Sequence, residues 1–439
     1  MRNWRTEPLE RIAEIRSSNV DKKSNAGEEP VRLCNYMDVY SREYITADIE
    51  FMEATATHAE VQRFGIERGD VMITKDSETP DDIGIPAVVV DDISKLVCGY
   101  HLALIKPNRD EVDPVYLAKQ LGLSDTARYY GRLANGSTRY GLSYRSIART
   151  PIRLAPLPEQ QRIAEILTAV DEAIEHTEAL IAKTQQIKAG LMHDLFTRGV
   201  TADGQLRSPR DEAPQLYKES PLGWIPKEWE IKELGELGAF MNGLNKPKDQ
   251  FGFGMKFVNI SDVYPECLNL DKLGLMNATG AECRRYGIKS GDILIDRSSV
   301  KLDGVGYPTV FPASLETVVF CGFIIRFRII DASLRPTFAV QVMRSPAFRR
   351  LVIQIATASA NVNVNQQALK RLPMLIPDME EQLAIEERAN ATNLALESEL
   401  EAVRKLKGFK NGLMQDLLTG RVPVSFETTS RVAEVAANV

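Results

Sequence analysis

The sequence predicts an α+β protein of two similar domains, each followed by one long helix, and three observations carry that expectation. The chain repeats itself at a displacement of about 222 residues. Two stretches hold apolar residues at spacings of three and four over about eight or nine helical turns each. The segments before them mix short β-rich runs with short helical ones, and 439 residues is too long for one ordinary core.

The repeat is legible in matched words. GLMHDLFTRGV at Gly190 to Val200 returns as GLMQDLLTGRV at Gly412 to Val422, and RFGIERGDVMI at Arg63 to Ile73 returns as RYGIKSGDILI at Arg285 to Ile295. RLCNYMDVY at Arg32 to Tyr40 answers KFVNISDVY at Lys256 to Tyr264, CGY at Cys98 to Tyr100 answers CGF at Cys321 to Phe323, and Trp4 answers Trp229. These matches keep their order. The expected layout is an N-terminal segment 1–30, a domain 31–157, a long helix 158–198, a linker 199–230, a second domain 231–377, a second helix 378–419 and a tail 420–439. Runs such as DVMIT, AVVVDD, DILID and VVFCGFIIRFRI read as strands, and DPVYLAKQLGL and RPTFAVQVMRS read as helices.

In the first long helix the seam runs through Ile163, Ile166 or Leu167, Val170, Ile174, Thr177, Leu180 or Ile181, Thr184, Ile187, Leu191 and Leu195. The average spacing is that of a coiled coil. The second copy runs through Ala389, Thr392, Leu396, Val403, Leu406, Phe409, Leu413 and Leu417, interrupted at Glu399. Forty unbroken helical residues extend roughly 60 Å at about 1.5 Å per residue, more than a small domain is wide. Gly199 and Gly420 end the helices. Between the halves, RGVTADGQLRSPRDEAPQLYKESPLGWIPKEW is rich in Gly, Pro and charge, the composition of a linker.

Composition removes several function classes. No apolar run reaches the roughly 18 residues of a spanning helix, and the first residues lack the apolar centre of a signal peptide, so the expected location is the cytoplasm, with no membrane partner. The cysteines, Cys34, Cys98, Cys267, Cys283 and Cys321, are odd in number and never form CxxC, which predicts reduced, mostly buried thiols rather than disulfides or a zinc site. The net charge of −6 argues against a nucleic-acid partner on its face. Its distribution argues the other way: Thr126 to Arg153 and Ala332 to Pro377 contain no acid at all, although each carries six Arg or Lys residues. Solvated loops are the alternative.

Two similar domains joined by two similar antiparallel helices imply a pseudo-twofold molecule. Duplex DNA has the same pseudosymmetry, so such a chain can read two separated half-sites, as symmetric dimers do. The halves differ in sequence, which predicts a bipartite, asymmetric target with the helices setting its spacing.

The layout, together with PLPEQQRIAEIL at Pro156 to Leu167, GLMHDLFTRG, ESPLGWIPKEWEIKELGELG at Glu219 to Gly238 and EEQLAIEE at Glu380 to Glu387, resembles the specificity subunit of type I restriction-modification systems. The resemblance covers nearly the whole chain and finds its elements twice in order. It implies two target-recognition domains, each reading part of a split sequence in double-stranded DNA, and helices that dock two modification subunits. It further implies partners that bind S-adenosylmethionine and methylate adenine, and restriction subunits that use ATP and Mg; none of these cofactors is expected on this chain. The second helix departs from the first in lacking the Pro of PLPEQ and in the seam break at Glu399.

Asn135, Gly136, Ser137, Thr138, Arg139 and Tyr140 align with Thr357, Ala358, Ser359, Ala360, Asn361 and Val362. Arg pairs bidentately with guanine and Asn or Gln with adenine, so Arg139, Asn135, Asn361, Asn363, Asn365 and Gln366 are the candidates for base contact. Ser137, Thr138, Tyr140 and Ser359 flank them. Arg128, Arg132, Arg145, Arg349, Arg350 and Lys370 are candidate phosphate clamps. Lys75 and Arg297 follow the repeated Gly-Asp turn and join the set, while Tyr129, Tyr130 and Tyr144 are either groove or core residues. No catalytic motif accompanies them: the chain has no Asn-Pro-Pro-aromatic or Asp-Pro-Pro-aromatic run, no glycine-rich cofactor turn and no Walker sequence, and His58, His101, His176 and His193 form no metal or triad spacing. No enzymatic activity is expected of the chain alone. A standalone DNA-modifying enzyme with an unfamiliar site and a coiled-coil interaction scaffold are the rival readings, and the six-Arg run opposes the second.

Overall fold

The computed structural model describes residues 4–263, 268–358 and 362–424. The chain divides into two compact units, one from the described parts of Met1–Leu180 and Glu399–Val439 and one from Ile181–Ser398. Both boundaries fall inside the long helices. Each unit therefore holds one α+β domain, the first half of the helix that follows that domain, and the last half of the other copy's helix.

In the first unit, Tyr44–Ile45, Pro86–Val89, Val71–Thr74, Leu102–Pro107 and Ala13–Ser17 form a five-stranded sheet in that order. Val71, Met72, Ile73, Leu102, Leu104 and Ile105 are fully buried, because the sheet is covered on both faces. Met52–Ala56, Glu29–Cys34 and Leu96–Cys98 make a second, three-stranded sheet. The second unit repeats this plan with Gly238–Asn242, Ile324–Ile329, Ile293–Asp296 and Pro308–Val310 in one sheet and Gly274–Met276, Phe251–Val258 and Val318–Phe320 in the other. Cys34, Cys98 and Cys321 are buried free thiols and Cys283 is half-buried; Cys267 lies outside the described residues. Burial pushes the Cys98 thiol up to about 12.

Two expected boundaries change. Residues 1–30 are not a separate segment: Arg5–Pro8 pairs antiparallel with Pro151–Leu154, and Ala13–Ser17 pairs with Leu102–Pro107, so both strands belong to the first domain. Nor is 199–230 a bare linker. Tyr217–Ser220 and Gly223–Pro226 form a hairpin, and Val200, Ile225 and Trp229 enter the core of the second unit. Its Gly and Pro content belongs to tight turns over an apolar base, a distinction composition does not make.

The long helices span Leu157–Thr197 and Met379–Leu418. In the first unit Val170, Ile174 and Leu406 share one apolar cluster, and the pairs Asp171–Lys410 and Glu178–Lys407 show the helices running antiparallel there. Ile163 packs into the first domain, as does the partly buried Leu413. Val403 is buried, and Thr177 turns its Oγ1 onto Ala173 O at 2.7 Å. In the second unit Ile181 is buried and Leu191 packs on the domain core, while Thr392 donates to Arg388 O at 3.1 Å and Leu396 is half-buried. Of the pair Leu180 or Ile181 it is Ile181 that is buried, while Ile187 and Phe409 are exposed, contrary to the expected seam.

Each helix ends on a left-handed glycine, Gly199 with φ 66° and Gly420 with φ 68°. A Cβ on Gly199 would stand 2.6 Å from the Trp229 ring, and one on Gly420 would stand 3.4 Å from the Trp4 ring. The Trp4 and Trp229 counterparts are thus the seats for the two helix ends. In the second unit the seat is completed by Glu381, buried, which accepts from Trp229 Nε1 at 2.9 Å, Val200 N at 2.7 Å and Arg207 Nη2 at 3.0 Å.

Candidate nucleic-acid interface

The first acid-free run folds as a helix, Ser124–Leu133, a loop and a second short helix, Tyr144–Ala148. The loop is closed by its own backbone: Asn135 and Gly141 exchange hydrogen bonds at 3.1 and 2.9 Å. Gly136 sits at φ 148°, where a Cβ would meet Arg139 O at 1.9 Å, so the closure requires glycine there. Asp76–Ser77 pairs with Tyr140–Gly141, and Leu142 N donates to Lys75 O at 2.8 Å. The outcome is a rigid, outward loop on which Asn135, Ser137, Thr138 and Arg139 are exposed and Tyr140 is half-buried.

The second unit builds the same junction from different residues. Ser298–Ser299 pairs with Val362–Asn363, which also pairs with Thr357–Ala358, and Val364 N donates to Arg297 O at 3.0 Å. Ser359 and Asn361 lie outside the described residues. The two junctions correspond at one displacement, Lys75 with Arg297, Leu142 with Val364 and Ser143 with Asn365.

Partners in space separate the candidates. Arg132, Arg139 and Arg145 are exposed and, among the described residues, make no ion pair, as do Arg350 and Lys370 in the second unit. Arg128 instead pairs with Asp125, the acid just before the acid-free run. Arg349 is turned inward, its Nη2 donating to Asp303 O at 3.0 Å and Val305 O at 2.5 Å, which makes it a brace for the 299–306 loop rather than a free clamp. Arg335 is likewise held by Glu386 at 2.8 Å. Asn365 caps the helix Gln366–Lys370, its Oδ1 accepting from Ala368 N at 2.9 Å, as Ser143 Oγ accepts from Ser146 N at 3.1 Å in the first unit. Gln366 places its amide on the edge strand, donating to Phe240 O at 3.2 Å and accepting from Asn242 N at 3.0 Å. Asn365 and Gln366 are therefore engaged with the backbone of the junction and its neighbouring strand. Asn363 is half-buried in the paired strand, Lys75 Nζ donates to Ser18 O at 2.8 Å, and Arg297 Nη1 donates to Gly322 O at 3.4 Å. Tyr130 is core, with its hydroxyl accepting from Thr150 at 2.9 Å, while Tyr144 is exposed and Tyr129 half-buried.

Residues beside the junction that sequence spacing did not single out are His101, whose Nδ1 lies 2.8 Å from Asp76 Oδ2, and the rings of Tyr36, Tyr40 and Tyr100 around it. The CGY and CGF words could have pointed there, but they lie one residue out of structural register. Lys75 N donates to His101 O and Arg297 N to Phe323 O, so Phe323 corresponds to His101. Asp296, which corresponds to Thr74, is buried, and among the described residues neither carboxyl oxygen has a hydrogen-bond partner. Burial pushes it up to about 8, against a downward pull from Arg349.

The family model for the type I restriction modification DNA specificity domain matches residues 1–186. The type I restriction enzyme MjaVIII specificity subunit of Methanocaldococcus jannaschii is 22% identical over 405 residues, 89% of this chain and 87% of that one. A further protein of that organism, named for the MjaX type I restriction enzyme, is 22% identical over 275 residues; the match covers 60% of this chain and 61% of that one, under two thirds of its length. Among solved structures, the S subunit of a type-I restriction-modification system from M. genitalium superposes with a TM-score of 0.54 over 94% of this chain and 96% of that one, at 14% identity, a likeness of fold. Residues 1–186 thus match the type I restriction modification DNA specificity domain, and most of the chain is similar in sequence to a type I specificity subunit and in fold to a solved one.

Proposed function

We propose that this chain is the DNA-reading, non-catalytic subunit of a type I restriction-modification complex, and that each of its units reads one part of a split, asymmetric target in double-stranded DNA. The observation that carries this is the junction built twice: a loop end in the first unit and a strand in the second, each paired to the two residues that follow Lys75 or Arg297, with exposed cations nearby in sequence, on one backbone plan with different side chains. A shared plan gives a common way of meeting the duplex, and differing tips give different base preferences. Arg139, Asn135, Ser137 and Thr138 are the base-reading candidates of the first unit, with Arg132 and Arg145 on phosphates. Asn363 with Arg350 and Lys370 does the same in the second.

The exposed faces of the long helices suit the docking of two modification subunits, which bind S-adenosylmethionine, and restriction subunits that use ATP and Mg join that assembly. No described helix is long and apolar enough to cross a membrane, and we place the complex in the cytoplasm with the DNA it reads. The test is reconstitution. The chain alone should transfer no methyl group, whereas the chain with modification subunits and S-adenosylmethionine should methylate adenine at one split sequence. Methyl transfer by the chain alone, or methylation without sequence preference by the complex, contradicts the proposal.

A further inference from the structure

Beside each junction a tight turn leads into a central strand of the sheet. In the first unit it is closed by Leu102 N donating to Gly99 O at 3.1 Å, and in the second by Ile324 N donating to Cys321 O at 3.1 Å. Both turns are fastened to the backbone of the junction's cation, through Lys75 N to His101 O at 3.0 Å and Arg297 N to Phe323 O at 2.9 Å. Each presents an aromatic ring to solvent, Tyr100 at 38% and Phe323 at 59% exposure.

A single exposed aromatic needs no explanation. Here the ring recurs at the same turn in two units, and it stands on different turn positions, Tyr100 on the first central residue and Phe323 on the second. The feature common to both is thus the ring's place beside the cation and the recognition strand. The first unit adds support around its ring: His101 lies 3.7 Å from Tyr100 between centroids, Tyr36 meets His101 edge-on at 6.4 Å, and Tyr40 stacks on Tyr36 at 5.4 Å. Asp76 at 2.8 Å holds His101 in place. In the second unit Gly322 leaves the turn room against Asn245, whose Oδ1 would stand 1.8 Å from a Cβ.

From this geometry we infer that Tyr100 and Phe323 are aromatic anchors through which each unit packs on duplex DNA. Each ring lies against the apolar edge of the sugar and base, a thymine methyl being the best such surface, next to the phosphate attracted by the neighbouring cation. The inference rests on the DNA-reading function proposed above and adds to it two contact residues outside the acid-free runs.

The experiment uses the chain assembled with its modification subunits and a duplex carrying the methylated target. Affinity is measured across a range of salt for the unaltered complex and for Tyr100→Ala, Phe323→Ala, Tyr100→Phe and Phe323→Tyr. Each alanine variant should bind the target roughly tenfold or more weakly, the loss expected when a buried ring is removed. Its melting temperature should be unchanged, and so should its salt slope, because a ring releases no counterion. The aromatic exchanges should restore binding. Alanine variants that bind like the unaltered complex overturn the inference, as does a loss that tracks a lowered melting temperature or that aromatic exchange fails to rescue. If the unaltered complex binds target and scrambled duplex equally, it is the DNA-reading function itself that fails.

Discussion

Asp296 occupies in the second unit the position that Thr74 occupies in the first, where the Thr74 Oγ1 accepts from Ile85 N at 3.0 Å. The carboxylate has no such donor, and burial raises it to about 8 from its ordinary value near 3.8. The folded chain therefore holds a proton that the unfolded chain releases, so stability falls as pH rises from the ordinary carboxylate range through about 8. Asp296→Thr should flatten that dependence and raise the stability of the second unit at pH 8 by about 1–3 kcal/mol, the usual cost of an unsatisfied buried polar group. Melting curves between pH 5 and 9 check it; parallel curves for both proteins would contradict it. At the DNA surface, Arg139→Ala should cost about 1–3 kcal/mol at one half-site, while Arg132→Ala should weaken all sequences alike and lower the salt slope by about one. Equal, sequence-blind effects of the two would remove the distinction between loop tip and helix flank. Composition identified the acid-free runs, but not which of their polar side chains are engaged. Arg349, Asn365 and Gln366 are occupied by carbonyls, a helix end and a strand edge brought together only by folding.

At the scale of elements, both long helices are legible to within a residue or two, because an apolar period recurs along most of each and a glycine closes each end. Short strands were legible where they are fully apolar, as in Val318–Phe320, and missed where pairing is with a distant segment, as for Arg5–Pro8. The 199–230 segment shows why charge and glycine content mislead. Its few apolar residues, Val200, Ile225 and Trp229, are the ones that matter, and they fasten it around Glu381. Glu381→Ala leaves the Trp229 indole and the Val200 amide without their acceptor and the half-buried Arg207 guanidinium without its counter-ion, and should destabilise the second unit by about 3–5 kcal/mol, the usual result of removing one partner of a buried pair. Denaturant unfolding should show the loss in one of two transitions; an unchanged midpoint in both would mean that the segment is held by other contacts.

For the whole molecule, duplication was the most legible property and the most informative. A displacement of about 222 joins strands, caps and junction bonds, down to Leu142 with Lys75 and Val364 with Arg297. Which bases each junction prefers is not legible, since side chains at the tips choose among them and the backbone plan does not. The central claim is that each unit reads its own half of the target, and replacing Arg5–Leu154 by Glu230–Ile376 tests it most directly. The measurement is a map of adenine methylation in a genome lacking other methyltransferases, made by the complex with either chain. The exchanged chain, once assembled, should methylate a split site in which the second unit's half occurs twice and the first unit's half is gone. Retention of the original asymmetric site by that chain would contradict the account.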